Sequence, residues 1–410
     1  MAEVSLLIHD LAAAVTPQGN GPLRGREFGA LRVHSPASIA ISGDRIWAVG
    51  PPEEVLRVIP SGADYESVDG RGKAALPGLV DCHTHAAFLG DRAAEFELRS
   101  SGATYEELHA SGGIRSTVAA TRAGSEEDLR SAVERHLGWM LEHGTTTVEA
   151  KSGYGLDRET ELKSLRAIHA AGQLSPVDAY PTFLGAHTVP PEFDRAAEYV
   201  EFVIQDILPE AAPLARAADV FLERGSFEAP EARRYLGACR AHGLALRLHA
   251  DQFSERGAIP LAIELGARSV DHLEATGDEG ARLIAKSDVA AVLLPSCALF
   301  LDLPLPPARL LADEGAIVTL ATDFNPGSSF CESLPLVMNL ACTRLGLSPA
   351  EALCACTANA AHVLSLEDVG RLAPGYMADV LLLDAPDWRH VAYHLGGDRF
   401  AAKIKSGEIL

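Results

Sequence analysis

Short apolar runs recur through the middle of the chain, and stretches with helical periodicity separate most of them. Eight runs could be parallel strands, at residues 74–81, 145–150, 177–184, 219–222, 244–248, 269–272, 289–294 and 317–322. One intervening helix is expected to begin after Ser125, an N-cap residue, with Leu129, Val133, Leu137 and Met140 on one face. Eight strands alternating with helices predict an α/β fold, a TIM-like (β/α)8 barrel over residues 76–369.

The two ends of the chain have a different pattern. Alternating segments at 38–41 and 45–49 flank Gly43-Asp44, which is a hairpin signal, and strands are also expected at 378–384 and 401–405. Residues 1–75 and 370–410 are therefore predicted to form one small composite β domain, sandwich-like, built from both chain ends.

Composition and charge narrow the classes of partner. The 410 residues are 47% apolar and carry a net charge of −21, so a nucleic acid or an anionic membrane is not the expected partner. We find neither a signal peptide nor an apolar stretch of the roughly 20 residues that a membrane span needs. Seven cysteines without a Cys-x-x-Cys pattern indicate a reduced, cytoplasmic protein. A small-molecule substrate is expected, and a homodimer is left open.

Metal-ligand and acid–base residue types end four of the apolar runs. His83 and His85 follow the first run and, in an extended segment, point the same way. Two histidines in an exposed turn would be the alternative interpretation. That alternative weakens because His249, His272 and Asp323 end other runs, and active sites of such barrels lie at the carboxyl ends of their strands.

These residue types suit a catalytic metal site. His83, His85, His249 and Asp323 could hold one divalent metal, Zn²⁺ or iron, that lowers the pKa of a bound water and polarises a carbonyl. Asp323 could also take a proton, and His272 would remain as an acid–base group, with a hydrogen-bonded core histidine as the alternative. Cys297 is either a nucleophile or a buried thiol, and we favour the thiol.

Several longer segments resemble a known family. They lie at residues 88–92, 103–105, 149–156, 183–190, 249–252, 271–274 and 322–328, and the Lys-Ser-Gly-Tyr-Gly and Asp-Phe-Asn-Pro-Gly-Ser stretches are the most specific. The chain resembles the amidohydrolase superfamily and, within it, the imidazolonepropionase family over nearly its whole length. The resemblance implies hydrolysis of 4-imidazolone-5-propanoate to N-formimino-L-glutamate, a step of L-histidine degradation.

The resemblance also implies roles for single residues. It assigns the metal to His83, His85, His249 and Asp323, and catalysis to Asp323 and His272. It implies substrate contacts from Arg92, Tyr105, Tyr154, His187, Gln252, Asn325, Gly327 and Ser328. An arginine fork suits the propanoate carboxylate, although a surface salt bridge is the other use of such a residue.

Two positions bear on mechanism and metal count. Some family members carry Glu where this chain has Gln252, and an amide cannot titrate, so Gln252 is expected to orient the substrate. Two-metal relatives use a carbamylated lysine from the fourth barrel strand. Lys151 follows the second predicted strand and the fourth has no lysine, so one metal is expected. A purine or pyrimidine aminohydrolase, or a non-catalytic binding protein on this fold, remains the rival interpretation.

Overall fold

The first seven strands lie outside the barrel. The computed structural model describes residues 4–102, 112–397 and 399–410. The seven strands outside the barrel are β1 (Leu6–Leu11), β2 (Ala13–Pro17), β3 (Leu31–His34), β4 (Ala37–Ser42), β5 (Arg45–Gly50), β6 (Glu66–Asp69) and β7 (Ala74–Pro77). The expected hairpin around Gly43 is confirmed, because β4 and β5 pair antiparallel across it.

Eight parallel strands form the central sheet, each hydrogen-bonded to the next along the chain. They are β8 (Leu79–Asp81), β9 (Thr145–Lys151), β10 (Asp178–Ala186), β11 (Ala217–Leu222), β12 (Ala245–Ala250), β13 (Ser269–His272), β14 (Ala290–Leu293) and β15 (Val318–Leu320). All eight predicted runs therefore contain a barrel strand, which confirms the predicted fold class.

The barrel closes just beyond the ends of its first and last strands. Thr84 and Phe324 form a parallel bridge. The His85 amide donates to the Phe324 carbonyl at 2.9 Å, and the Asp323 amide donates to the His83 carbonyl at 3.1 Å. The segments that carry three of the candidate ligands are thus joined by the closing hydrogen bonds.

Helices pack around the barrel sheet, except that the first of them contacts β4 and β5. They are α1 (Pro52–Arg57), α2 (Ala93–Ser100), α3 (Ile114–Ala123), α4 (Glu126–Glu142), α5 (Arg158–Leu174), α6 (Ala196–Phe202), α7 (Leu208–Ala211), α8 (Ala229–Ala241), α9 (Ala258–Leu265), α10 (Asp278–Ala285), α11 (Pro295–Leu301), α12 (Ala308–Asp313), α13 (Leu334–Arg344), α14 (Pro349–Ala355), α15 (Ala358–Val363) and α16 (His390–Tyr393). The predicted start of α4 is confirmed: Ser125 and Asp128 form a capping box. Among the described residues, no helix is both long and apolar enough to cross a membrane.

Strands from both chain ends build two further sheets. The last strands are β16 (Val380–Leu383), β17 (Phe400–Lys405) and β18 (Glu408–Ile409). One sheet has the order β5-β4-β1-β6 and the other β18-β17-β16-β7-β2-β3. Both ends of the chain thus contribute strands to the second sheet, while the division into domains at residues 75 and 370 stays a prediction.

The prediction of a single strand over residues 74–81 is wrong, because this run contains two strands. Strand β7 pairs with β16 and β2, whereas β8 pairs with β9. The chain passes from one sheet to the other at Gly78, where an added Cβ would lie 2.2 Å from the Thr146 hydroxyl oxygen. Only glycine permits this close approach of backbone to side chain.

Candidate active site

The candidate ligands converge because their strands end at the same rim of the barrel. His83 and His85 follow β8, His249 lies in β12, His272 ends β13, and Asp323 follows β15. All five side chains are buried.

The Asp81 carboxylate ties two of these segments together. It accepts hydrogen bonds from the Thr322 hydroxyl at 2.6 Å and from the Thr322 amide at 3.2 Å. It therefore links the end of the first barrel strand to the segment after the last.

Two of these residues have a backbone conformation that residues other than glycine rarely adopt. The φ angle is +86° at His272 and +54° at Asp323. Each such residue costs on the order of 1–3 kcal/mol, and such strain clusters at functional sites. The surrounding hydrogen bonds hold this geometry, including the bond from the Leu273 amide to the Ala250 carbonyl at 3.1 Å.

Two overlapping groups of buried side chains bring metal-binding atoms close together. One is His83, His85 and His249, and the other is His83, His272 and Asp323. The Oδ1 atom of Asp323 lies 3.5 Å from Nε2 of His83 and 3.5 Å from Nε2 of His85. The Nε2 atoms of His85 and His249 are 3.2 Å apart. Nε2 of His83 and Oδ2 of Asp323 are buried with no hydrogen-bond partner among the described residues. Converging lone pairs with orphaned atoms fit a divalent cation.

The protonation states agree with that fit. Burial lowers the pKa of His83, His85 and His249, so these imidazoles are neutral, as metal binding requires. Nδ1 of His83 lies 2.5 Å from the Asp271 carboxylate, and Nδ1 of His249 lies 3.1 Å from that of Asp219. Carboxylates at Nδ1 favour the tautomer whose Nε2 lone pair is free to bind a metal.

Lys151 lies beneath this centre in a buried ion network. Its Nζ atom lies 2.8 Å from Glu149 Oε1 and 3.0 Å from Asp219 Oδ2. Burial alone would lower the pKa of Lys151, but these two carboxylates more than offset it and the pKa is raised. Lys151 is the last residue of the second barrel strand, whereas the sequence predicted a position just after that strand, and its ammonium group pairs with both carboxylates.

The two predicted proton-handling residues have carboxylate and imidazole neighbours. Burial raises the pKa of Asp323 to about 6. Burial also opposes the charged form of His272, yet the carboxylates of Glu274 and Asp323 outweigh it and the pKa of His272 is raised. Nδ1 of His272 lies 3.5 Å from Glu274 Oε1. Asp323 can therefore exchange a proton near neutral pH, and the charged form of His272 is favoured by its carboxylate neighbours.

A cavity of about 1300 Å³ opens above these residues. Its wall includes His85, His249, His272 and Asp323, and it also contains the predicted substrate contacts Arg92, Tyr154, His187, Gln252, Asn325, Gly327 and Ser328. The structure thus brings these predicted residues together. Tyr105 was also predicted as a contact, and it lies outside the described residues.

Buried Glu161 shapes one wall of the cavity, and sequence reasoning missed it. Its carboxylate accepts hydrogen bonds from the backbone amides of Gly153, Gly155 and Leu156, at 2.9–3.2 Å. The loop that carries Tyr154 is held in this way. Burial lowers the pKa of the neighbouring His187 to about 3, and its Nδ1 donates to the Gly153 carbonyl at 2.9 Å.

The loop after β15 uses Asn325 internally. The side-chain oxygen of Asn325 accepts from the amides of Gly327 and Ser328 at 2.8 and 2.7 Å, and its Nδ2 donates to the Asp323 carbonyl at 2.7 Å. Asn325 therefore orders the ligand loop, while its predicted direct contact with a substrate stays a prediction.

Arg92 is engaged by another residue that the sequence reasoning did not single out. Its Nε and Nη2 atoms donate to the two carboxylate oxygens of Glu95 at 2.8 and 2.5 Å. Arg92 and Glu95 are three residues apart, a spacing at which side chains on a helix meet. That spacing was the signal available in the sequence.

Cys297 is a fully buried thiol, as favoured from the sequence. The side-chain amide of Gln252 donates to its sulfur at 3.5 Å. Burial raises the pKa of Cys297 well above its usual range. A buried, protonated thiol is a poor nucleophile.

Known proteins resemble this chain along its whole length. Residues 74–408 match the model of the Amidohydrolase family. The imidazolonepropionase of Rubrobacter xylanophilus is 76% identical, over all of this chain and 99% of that protein. The imidazolonepropionase of Symbiobacterium thermophilum is 44% identical, over all of this chain and 98% of that protein.

Solved structures share the fold at lower identity. A triazine hydrolase variant aligns with a TM-score of 0.75 at 19% identity, covering 99% of this chain and 94% of that one. An adenosine deaminase from Xanthomonas campestris with bound zinc aligns with a TM-score of 0.72 at 19% identity, covering 99% and 93%. From its family match and full-length relatives, the chain belongs to the amidohydrolase family and, within it, to the imidazolonepropionases.

Proposed function

We propose that this chain is a metal-dependent hydrolase that opens the ring of 4-imidazolone-5-propanoate with water, giving N-formimino-L-glutamate. The observation that carries this proposal is that candidate metal ligands and the guanidinium of Arg92 line one cavity. A cyclic amide with an anionic tail needs both a polarising centre and a cation. The 76% identity to an imidazolonepropionase over the full chain supports the same substrate.

The amidohydrolase family is metal-dependent, and this chain has buried groups that fit a metal. His83, His85, His249 and Asp323 would hold one divalent cation, zinc or iron. When bound, the cation would lower the pKa of a water molecule and polarise the ring carbonyl. The ion pairs of Lys151 with Glu149 and Asp219 support a single metal, because they engage the lysine nearest to the site.

Asp323 and His272 would handle the protons of the reaction. The unpartnered Oδ2 atom of Asp323 supports its role as the base that takes a proton from the attacking water. The raised pKa of His272 supports its assisting role, in which it stabilises negative charge on the ring oxygen. The proton that Asp323 takes from the water would then pass to the leaving nitrogen. The C–N bond of the ring breaks once that nitrogen is protonated.

The remaining cavity residues would hold the substrate. Arg92 would pair with the propanoate. Burial raises the pKa of Tyr154, so its hydroxyl stays protonated and can donate a hydrogen bond. Neutral His187 donates from Nδ1 to Gly153, which leaves its Nε2 as an acceptor. Gln252, Asn325, Gly327 and Ser328 would offer further polar contacts, with Gln252 orienting the ring and carrying no proton.

A reduced, cytoplasmic setting fits the seven cysteines, all of which are free thiols. The net charge of −21 argues against a nucleic acid or anionic membrane partner. The homodimer stays a prediction.

The test is a product analysis. Purified, metal-loaded protein is given the imidazolone propanoate while its ultraviolet absorbance is followed, and the products are identified. We expect loss of the imidazolone with formation of formiminoglutamate and no ammonia. Ammonia release from this or a purine or pyrimidine substrate, without ring opening, would support the aminohydrolase rival. Bound metal without any turnover would support a binding protein.

A further inference from the structure

Two arginines and one glutamate form a partly buried cluster at the cavity wall. Arg92, Glu95 and Arg99 all line the cavity beside Gly327. We propose that Glu95 is a positioning residue that sets specificity for a carboxylate-bearing substrate, by holding the guanidinium of Arg92 in one orientation. This inference rests on the proposed function, because it takes Arg92 as the group that binds the propanoate.

The hydrogen bonds define which edge of Arg92 is used. Nε and Nη2 form the side edge of the guanidinium, and both donate to Glu95, at 2.8 and 2.5 Å. The end edge, formed by Nη1 and Nη2, has no other hydrogen-bond partner among the described residues. A guanidinium can bind one carboxylate at each edge. Glu95 therefore occupies one edge and leaves the second for a ligand.

Gly327 fixes the position of that second edge. A Cβ added at Gly327 would lie 1.9 Å from Nη1 of Arg92, so the guanidinium packs directly against the backbone of the loop after β15. Arg99 reaches the same point, with Nη1 and Nη2 each 3.3 Å from the Gly327 carbonyl oxygen. The orientation of Arg92 is thus set from the helix α2 side and from the loop side.

The charges of the cluster favour an anion. Arg99 Nη2 also donates to Glu95 Oε1, at 3.1 Å, so one carboxylate is shared between two guanidinium groups. The cluster keeps one net positive charge within a chain whose net charge is −21. The side chain of Glu95 is only 9% exposed, which limits the solvent screening of these ion pairs. Glu95 thus restrains two long side chains and leaves one of their two positive charges uncompensated.

The experiment compares Glu95→Gln with a matched control. Glu97→Gln removes the same charge from the same helix at an exposed position, so it reports the effect of charge alone. For 4-imidazolone-5-propanoate, we expect Glu95→Gln to raise KM about tenfold, which is about 1.4 kcal/mol, with kcat nearly unchanged. Glu97→Gln should leave both constants as in the wild type. For an imidazolone that lacks the carboxylate, Glu95→Gln should change neither constant.

A double-variant cycle separates this inference from the proposed function. In an Arg92→Met background, Glu95→Gln should have no further effect on KM, because Glu95 acts through Arg92. A lower or unchanged KM in Glu95→Gln, or equal losses on both substrates, would overturn the positioning role. If Arg92→Met itself leaves the KM of the propanoate substrate unchanged, the proposed anchor is wrong, and the positioning role falls with it.

Discussion

At the scale of single residues, the candidate metal ligands depend on partners that lie behind them. Asp271 faces Nδ1 of His83, and Asp219 faces Nδ1 of His249 while it pairs with Lys151. These partners orient the imidazoles and set their tautomers before any metal binds. The four proposed ligands are therefore supported by a buried ion network.

Replacing Asp271 tests this dependence. Asp271→Asn keeps the shape of the side chain but removes the charge beside His83. We expect metal affinity to fall by roughly 10- to 100-fold, the usual cost of losing such a partner. The measurement is competition with a chelator of known affinity.

The control for Asp271→Asn is Asp379→Asn. Asp379 is a buried carboxylate paired with Lys405 at 2.9 Å, on the segment that leads into β16. Asp379→Asn should lower the free energy of unfolding and leave the metal affinity unchanged. Equal metal affinity in the two variants would show that Asp271 has no special role at His83.

His272 gives a second prediction at this scale. His272→Ala should retain the metal, because the four proposed ligands remain in place, and should lower kcat by roughly 10²-fold or more if the imidazole handles a proton. Metal analysis and steady-state kinetics check the two parts. His242→Ala, at an exposed site just after α8, is the control. Turnover close to wild type in His272→Ala would return His272 to a purely structural role.

At the scale of elements, helix α4 supports the loop that carries the first ligands. His136 lies in this helix, donates from Nδ1 to the Ala86 carbonyl at 2.8 Å, and stacks on Phe88 with ring centroids 4.6 Å apart. Burial lowers the pKa of His136 from 6.5 to about 4. The helix thus contacts the segment just after His85 through a neutral histidine.

This contact predicts part of the acid sensitivity of the fold. His136 is protonated more readily in the unfolded chain than in the folded chain. The stabilisation from neutral His136 is therefore fully present above about pH 6.5, and it is lost as the pH falls toward 4. His136→Asn keeps a donor and removes the titration. Between pH 7 and pH 5, the unfolding free energy of the wild type should drop by about 2 kcal/mol more than that of the variant. Urea unfolding, with chelator present throughout, measures both. An equal drop in unfolding free energy in the wild type and in His136→Asn would contradict this role of His136.

At the scale of the whole molecule, hydrophobic periodicity and residue type were enough to predict the fold class. The contacts between residues far apart along the chain could not be predicted in this way. Alternating apolar runs and helical patterns predicted the barrel, because burial on both faces makes each strand a continuous apolar run. The division of residues 74–81 at Gly78 could not be predicted, since it depends on Asp379 and Thr146, which are distant along the chain.

The candidate site shows the same limit. Ligand types at the ends of runs predicted which residues meet, because parallel strands end at one rim. The contacts of Lys151 with Asp219 and of Arg99 with Gly327 join residues that only the tertiary fold brings together. Single-sequence spacing carries no signal for such pairs.

The central claim is that one divalent metal at this rim makes the chain a hydrolase of 4-imidazolone-5-propanoate. The most direct measurement strips the protein of metal with a chelator, removes the chelator, and titrates zinc or ferrous iron while imidazolone loss is followed. We predict no activity without metal and a linear rise that ends at about one equivalent per chain, as expected for a mononuclear catalytic site. Full turnover in the metal-free protein, or a rise that ends at two equivalents, would contradict the account.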